Sequence, residues 1–136
     1  MKKLVLLTAL ILMTGFAFGQ SLQKGNFVGL HVYTITLSPG VTMDQLIDSW
    51  NKNVNPTYEK VFQCKAYWLK GIRGECVDCI GGMVIWKSEA DRDKFFNKEG
   101  GLNDAGNAAM AKVQPLIDQL NKLGTWTTKY TDWLVQ

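Results

Sequence analysis

Apolar and polar residues change rhythm several times along the chain, and each rhythm predicts an element. Phe27 to Leu37 (FVGLHVYTITL) is dense in Val, Ile, Thr, Tyr and Leu, the side chains that suit a pleated strand. Ser38-Pro39-Gly40 ends it. After Thr42 comes MDQLIDSWNKNV, in which Leu46, Ile47, Trp50 and Val54 share one side of a 3.6-residue repeat. That spacing predicts an amphipathic helix with Thr42 as its N-cap. Asn55-Pro56 should break or bend it, with a last turn reaching Lys60. Cys64 to Arg73 (CKAYWLKGIR) predicts a second strand and Met83 to Lys87 (MVIWK) a third, joined by a loop from Gly74 to Gly82. Ser88-Glu89-Ala90-Asp91 resembles a capping box ahead of a short helix over Arg92 to Asn97, which Gly100-Gly101 interrupts. A longer helix is expected from Asp104 to Leu123, with Ala109, Val113, Leu116, Ile117 and Leu120 at helical spacing and Gly124 at its end. Pro115 should kink it or mark a restart. Thr125 to Val135 (TWTTKYTDWLV) predicts a fourth strand.

The order β-α-β-β-α-β is the ferredoxin-like arrangement, an α+β fold with a four-stranded antiparallel sheet and both helices on one face. Right-handed crossovers put the first and third strands at the centre. The second and fourth become edges, where Lys65, Lys70 and Lys129 discourage unwanted pairing. In a lone subunit the uncovered face should read polar. Instead Val28, Leu30 and Val32 oppose Phe27, His31, Tyr33 and Ile35, while Met83 and Ile85 oppose Val84 and Trp86. Tyr67 and Leu69 likewise oppose Ala66 and Trp68. Apolar side chains on both faces call for cover on both. A second copy of the same sheet is the simplest cover, giving a two-fold homodimer. Each aromatic ring buried there removes about 150–250 Å² from water at roughly 25 cal/mol per Å², and several outweigh the ~4–15 kcal/mol of lost rigid-body freedom.

Residues 1–19 read as a secretory signal peptide. Lys2 and Lys3 precede the apolar run from Leu4 to Phe18, and Ala17-Phe18-Gly19 puts small residues at −3 and −1 of a cut before Gln20. The run is short for a membrane span, which needs ~20 residues. Residues 20–136 then form a single exported domain, periplasmic or secreted, with no membrane partner after cleavage. The chain carries 15 Lys and Arg against 12 Asp and Glu, and cleavage removes Lys2 and Lys3. The remainder is nearly neutral, which argues against nucleic acid as a partner.

The order of elements, and the strand that ends in Ser38-Pro39-Gly40-Val41-Thr42 before an amphipathic helix, resemble the dimeric α/β-barrel superfamily. Within it the chain is most similar to the stress-responsive α/β-barrel and antibiotic-biosynthesis monooxygenase groups, from Phe27 to Val135. The resemblance implies a dimeric barrel formed through the second sheet face and a pocket between the sheet and its cover. It implies no single reaction, because members include cofactor-free monooxygenases, haem-degrading enzymes, isomerases and proteins without known activity. No catalytic motif of the family carries over residue by residue.

Candidate chemistry is sparse. His31 is the sole histidine, which excludes mechanisms needing two imidazoles from one chain. With Tyr33 on the same strand face it is the candidate for general-base work or, less simply, for holding a haem iron; a half-buried histidine with one hydrogen bond is the plain alternative. No cofactor other than that haem is suggested, and no metal site. Five tryptophans are the most unusual feature of the composition. Trp68, Trp86, Tyr33, Tyr130 and His31 are the candidate lining of a site for a small apolar or aromatic molecule, against ordinary core packing. Cys76 and Cys79 sit in the hairpin loop as Cys-Val-Asp-Cys, and a local disulfide suits an oxidising compartment. Cys64 then stays a free buried thiol, although an odd count also permits it to pair with either loop cysteine. Glu89 to Lys94 reads as a solvated charged face, and Lys98 to Gly101 as a surface loop or a flap. Three readings remain: a ligand-binding protein, an enzyme using His31, and a structural protein with no pocket.

Overall fold

A computed structural model describes residues 22–77 and 79–136. The segment read as a signal peptide lies outside the described residues. The elements are β1 (Phe27–Leu37), α1 (Met43–Ser49), a π-helical turn (Trp50–Val54), α2 (Asn55–Phe62), β2 (Lys65–Lys70), β3 (Ile80–Trp86), α3 (Glu89–Asp93), α4 (Asp104–Leu120) and β4 (Gly124–Leu134). The four strands form one antiparallel sheet in the order β2-β3-β1-β4, as the crossover rule predicts. β1 is central, pairing with β4 from Phe27↔Leu134 to Leu37↔Gly124 and with β3 from Phe27↔Trp86 to Tyr33↔Ile80.

Thr42 caps α1 through a reciprocal box. Gln45 N donates to Thr42 Oγ1 at 3.2 Å, and Thr42 N donates to Gln45 Oε1 at 2.9 Å. The break expected at Asn55-Pro56 is absent, and the helix runs on to Phe62. Pro56 has no N–H to give and its ring crowds the carbonyl one turn back. The chain answers by widening the preceding turn, where Asn55 N donates to Trp50 O in the i→i−5 pattern of a π-bulge. Pro115 likewise sits inside α4 without ending it.

Other boundaries moved. β2 is shorter than its apolar run and stops at Lys70. β3 starts earlier than expected and takes in Gly81 and Gly82. Both glycines pair within the sheet, since the ring of Tyr33 lies over Gly82 and fills the missing side chain's place. α3 stops at Asp93 rather than reaching Asn97, and Phe96 bridges Leu102 across a tight turn.

Helices cover one sheet face. Between them and the sheet, Phe62, Leu46, Leu120, Val54 and Val113 are fully buried. Glu59 on α2 ties down the edge strand, accepting from Ala66 N at 2.9 Å and Lys65 Nζ at 2.6 Å. The other face carries Leu30, Val32, Tyr67, Leu69 and Trp133, all between 37% and 56% exposed. The apolar second face expected from the sequence is therefore present. Among the described residues, no helix is long and apolar enough to cross a membrane.

Candidate functional site

Strand pairing sets the site. Trp68, Gly82, His31 and Tyr130 are successive cross-strand neighbours from β2 to β4, all on the helix-covered face. Tyr33 leans over Gly82 from two residues along β1. The result is a row of rings crossing the sheet. Tyr130 and His31 stack at 5.5 Å between centroids, His31 and Tyr33 at 5.9 Å, and Tyr33 meets Trp68 at 5.1 Å. The helices add Trp50, edge-on to Trp68 at 5.8 Å, and Tyr58 beside Trp50.

These rings enclose a cavity of about 70 Å³ bordered by His31, Tyr33, Trp50, Tyr58, Trp68 and Gly82. Outside Trp68 lies an open cleft of about 390 Å³ between α1 and the ends of β2 and β3, lined mostly by apolar residues including Met43, Ile47, Leu69 and Ile80. Trp68 borders both spaces. Its Nε1–H is buried and has no hydrogen-bond partner, an arrangement that costs about 1–3 kcal/mol if left unmade.

Burial dominates the electrostatics. It lowers the pKa of His31 below its usual 6.5, against the opposing pull of the Asp132 carboxylate, so the imidazole is neutral at pH 7. Burial pushes the Tyr33 hydroxyl up to about 12 and raises that of Tyr58 as well, so both stay protonated donors. His31 Nδ1 lies 3.4 Å from Thr128 Oγ1. Asp132 in turn accepts at 3.3 Å from Nη2 of Arg92, whose side chain is only 8% exposed. The same guanidinium donates to Asn97 O at 2.7 Å and lies over the rings of Phe27 and Phe96. One buried cation thus ties the 97–101 turn to β4 beside His31.

Of the residues singled out in the sequence, His31, Tyr33, Trp68 and Tyr130 come together. Trp86 stands apart in the core, where its Nε1 donates to Phe62 O at 3.3 Å. Trp50, Tyr58, Asp132 and Arg92 were not anticipated as part of the site. The first two carry a signal in retrospect, since they sit eight residues apart on the helical stretch that also buries Leu46, Val54 and Phe62. Asp132 and Arg92 come from distant segments and carry none. Cys76 and Cys79 form a disulfide in the hairpin loop, and Cys64 is free and buried. Burial, with help from Glu59, pushes the Cys64 thiol up to about 12.

The surroundings of His31 do not fit a haem. Tyr33 and Tyr130 both stack against the imidazole, Nδ1 faces Thr128, and the adjoining cavity holds a few atoms rather than a macrocycle. Among the described residues, no group of three His, Cys, Asp or Glu side chains is placed to hold a metal ion.

No protein-family pattern and no curated protein matches the chain. Solved structures do. A NIPSNAP family protein from Agrobacterium tumefaciens superposes with a TM-score of 0.55 at 13% identity, over 86% of this chain and 91% of its own. SnoaB, a cofactor-independent oxygenase from Streptomyces nogalater, gives 0.44 at 11% identity, over 82% of this chain and 94% of its own. The first likeness, together with the strand order, shows the ferredoxin-like fold expected from the sequence.

Proposed function

We propose that the protein is an exported homodimer that binds a small apolar or aromatic molecule at Trp68, with the ligand entering from the cleft beside α1. The observation that carries this reading is the unpartnered Trp68 Nε1–H, set between that cleft and the inner cavity. A buried donor without an acceptor is rare in folded proteins and marks a place where a ligand or a water belongs. Aromatic walls with one or two polar tips are the usual make-up of small-molecule sites. The dimer is supported by the five large apolar side chains left on the second sheet face. Export is supported by the N-terminal sequence and is compatible with the loop disulfide.

The test is mass spectrometry under native conditions on protein purified without denaturation, joined to tryptophan fluorescence. A bound aromatic molecule that is lost in Trp68→Phe supports the reading. An empty protein whose emission is indifferent to a panel of small aromatic compounds overturns it.

A second reading has its own observation. A neutral imidazole facing a carboxylate is poised to accept a proton, so His31 is the group an enzyme of this fold would use. Turnover that survives in His31→Gln removes that role.

A further inference from the structure

A second open cleft, of about 650 Å³, lies at the opposite end of β2 from the cleft beside α1. That volume falls within the ~300–1,000 Å³ of small-molecule sites. The end of α2 contributes Glu59 and Lys60, and Lys65 opens β2. Lys87 follows β3, and Asp91 and Lys94 come from α3 and the residue after it. Four lysines therefore meet two carboxylates, leaving two positive charges in one cleft of a chain that is otherwise nearly neutral.

Both carboxylates spend their oxygens on the protein. Glu59 Oε2 accepts from Lys65 Nζ at 2.6 Å and Oε1 from Ala66 N at 2.9 Å. Asp91 Oδ1 accepts from Lys94 Nζ at 2.6 Å and Oδ2 from Ser88 Oγ at 2.8 Å. The bonds from Lys94 and Ser88, with a weaker pull from Lys87, hold the Asp91 carboxyl below the usual carboxylate range. The side chains of Lys60 and Lys87 make no ion pair or hydrogen bond among the described residues. Each ammonium carries three donors. The acceptors of the cleft are thus occupied and its donors are in excess, which calls for an acceptor-rich, negatively charged ligand.

Lys60 also sits in the last turn of α2, where the helix dipole favours a cation. That accounts for Lys60 alone, since Lys87 and Lys94 belong to a distant stretch of the chain. At the rim Gln63 ends α2 in the left-handed conformation, φ 52°, which costs a residue other than glycine about 1–2 kcal/mol. A polar side chain stands there against local preference, as at many ligand clamps. No arginine borders the cleft, so the planar fork that grips a single phosphate is lacking. Point charges set on separate elements suit a ligand whose own charges are spaced apart.

We propose that this cleft binds a small polycarboxylate, a free organic anion with two or more separated carboxylate groups, with Lys60 and Lys87 as its unshared cations. The site is independent of the aromatic one at Trp68.

The experiment is calorimetric titration at low ionic strength, where exposed charges are least screened, with citrate, acetate and inorganic phosphate as probes. Citrate should bind roughly tenfold or more tightly than either, the usual worth of an added hydrogen bond between charged groups. Lys60→Gln with Lys87→Gln should remove that preference and leave Tm unchanged, because neither side chain holds the fold together. Lys112→Gln, on α4, should bind citrate as the parent does. Citrate that binds no better than acetate, phosphate that binds as well as citrate, or equal loss in Lys112→Gln overturns the proposal. So does attachment to phosphatidylglycerol vesicles without citrate binding, which would make the cleft part of a lipid-facing surface. The probe comparison on the parent needs no variant and decides the matter even if the double variant misfolds.

Discussion

The two faces of the sheet use apolar side chains in different ways. On the helix-covered face the rings touch in sequence, from Tyr130 across to Trp68 and up through Trp50 and Tyr58 to Phe62. The few polar groups there are mostly paired, as Arg92 is with Asp132 and Thr128 with His31. On the opposite face Leu30, Val32, Leu69 and Trp133 share their surface with Lys65, Lys129 and several threonines, and no described element of the chain covers them. The first face is a finished interior. The second is an apolar surface left exposed by the described residues, and it differs from the first in having no layer packed on it.

The strongest way to test the difference is to damage each face. Phe62 is fully buried and packs against Tyr58, Phe95 and Phe96. Phe62→Ala should lower unfolding free energy by about 3–5 kcal/mol in urea titrations. A charge on the other face should act differently. Leu69→Lys should leave far-UV circular dichroism unchanged yet weaken self-association by roughly a hundredfold in sedimentation experiments, as for an interface anchor. Equal loss of fold from both changes would break the distinction.

Smaller effects sharpen it. The loop disulfide closes a very short ring, so replacing Cys76 and Cys79 by serine should lower stability by no more than about 1–2 kcal/mol. Thiol counting on unreduced, denatured protein should find one reactive sulfur per chain, that of Cys64. The smallest effect is a pH dependence. Burial lowers the His31 pKa in the folded state, so between that value and 6.5 the unfolded chain binds the extra proton. The stability tied to neutral His31 is therefore complete above 6.5 and fades as pH falls below it. Chemical denaturation at pH 7.5 and 5.5 should show the slope, and His31→Gln should flatten it.

Strand order and the face each strand residue takes were legible in the sequence, because a period of two fixes them once β1 and β3 are central. Thus Val28, Leu30 and Val32 oppose His31 and Tyr33 as expected. What failed were local boundaries, where a neighbour overrode propensity. Gly81-Gly82 reads as loop until Tyr33 is seen lying across it. Asn55-Pro56 reads as a break or a bend because a wide turn leaves no pattern of its own. The ring row was half visible: His31, Tyr33, Trp68 and Tyr130 share a face by alternation alone. Trp86 belongs to the same alternation but lies two pairing steps along β3 from Gly82, near Phe27, and joins the core there. Arg92 and Asp132 were invisible, since a contact between residues 40 apart leaves no trace in spacing.

The buried Cys64 bears on how the chain matures. Burial pushes its thiol up to about 12, so at neutral pH it stays protonated and unreactive. Cys64 precedes β2 and the bridge lies beyond its far end, so burial and distance together keep the thiol from exchanging with the bridge once folding is complete. The two cysteines of the loop are separated by only three positions and find each other without help from the rest of the chain. Concealment of the third sulfur thus protects the loop pairing once it has formed.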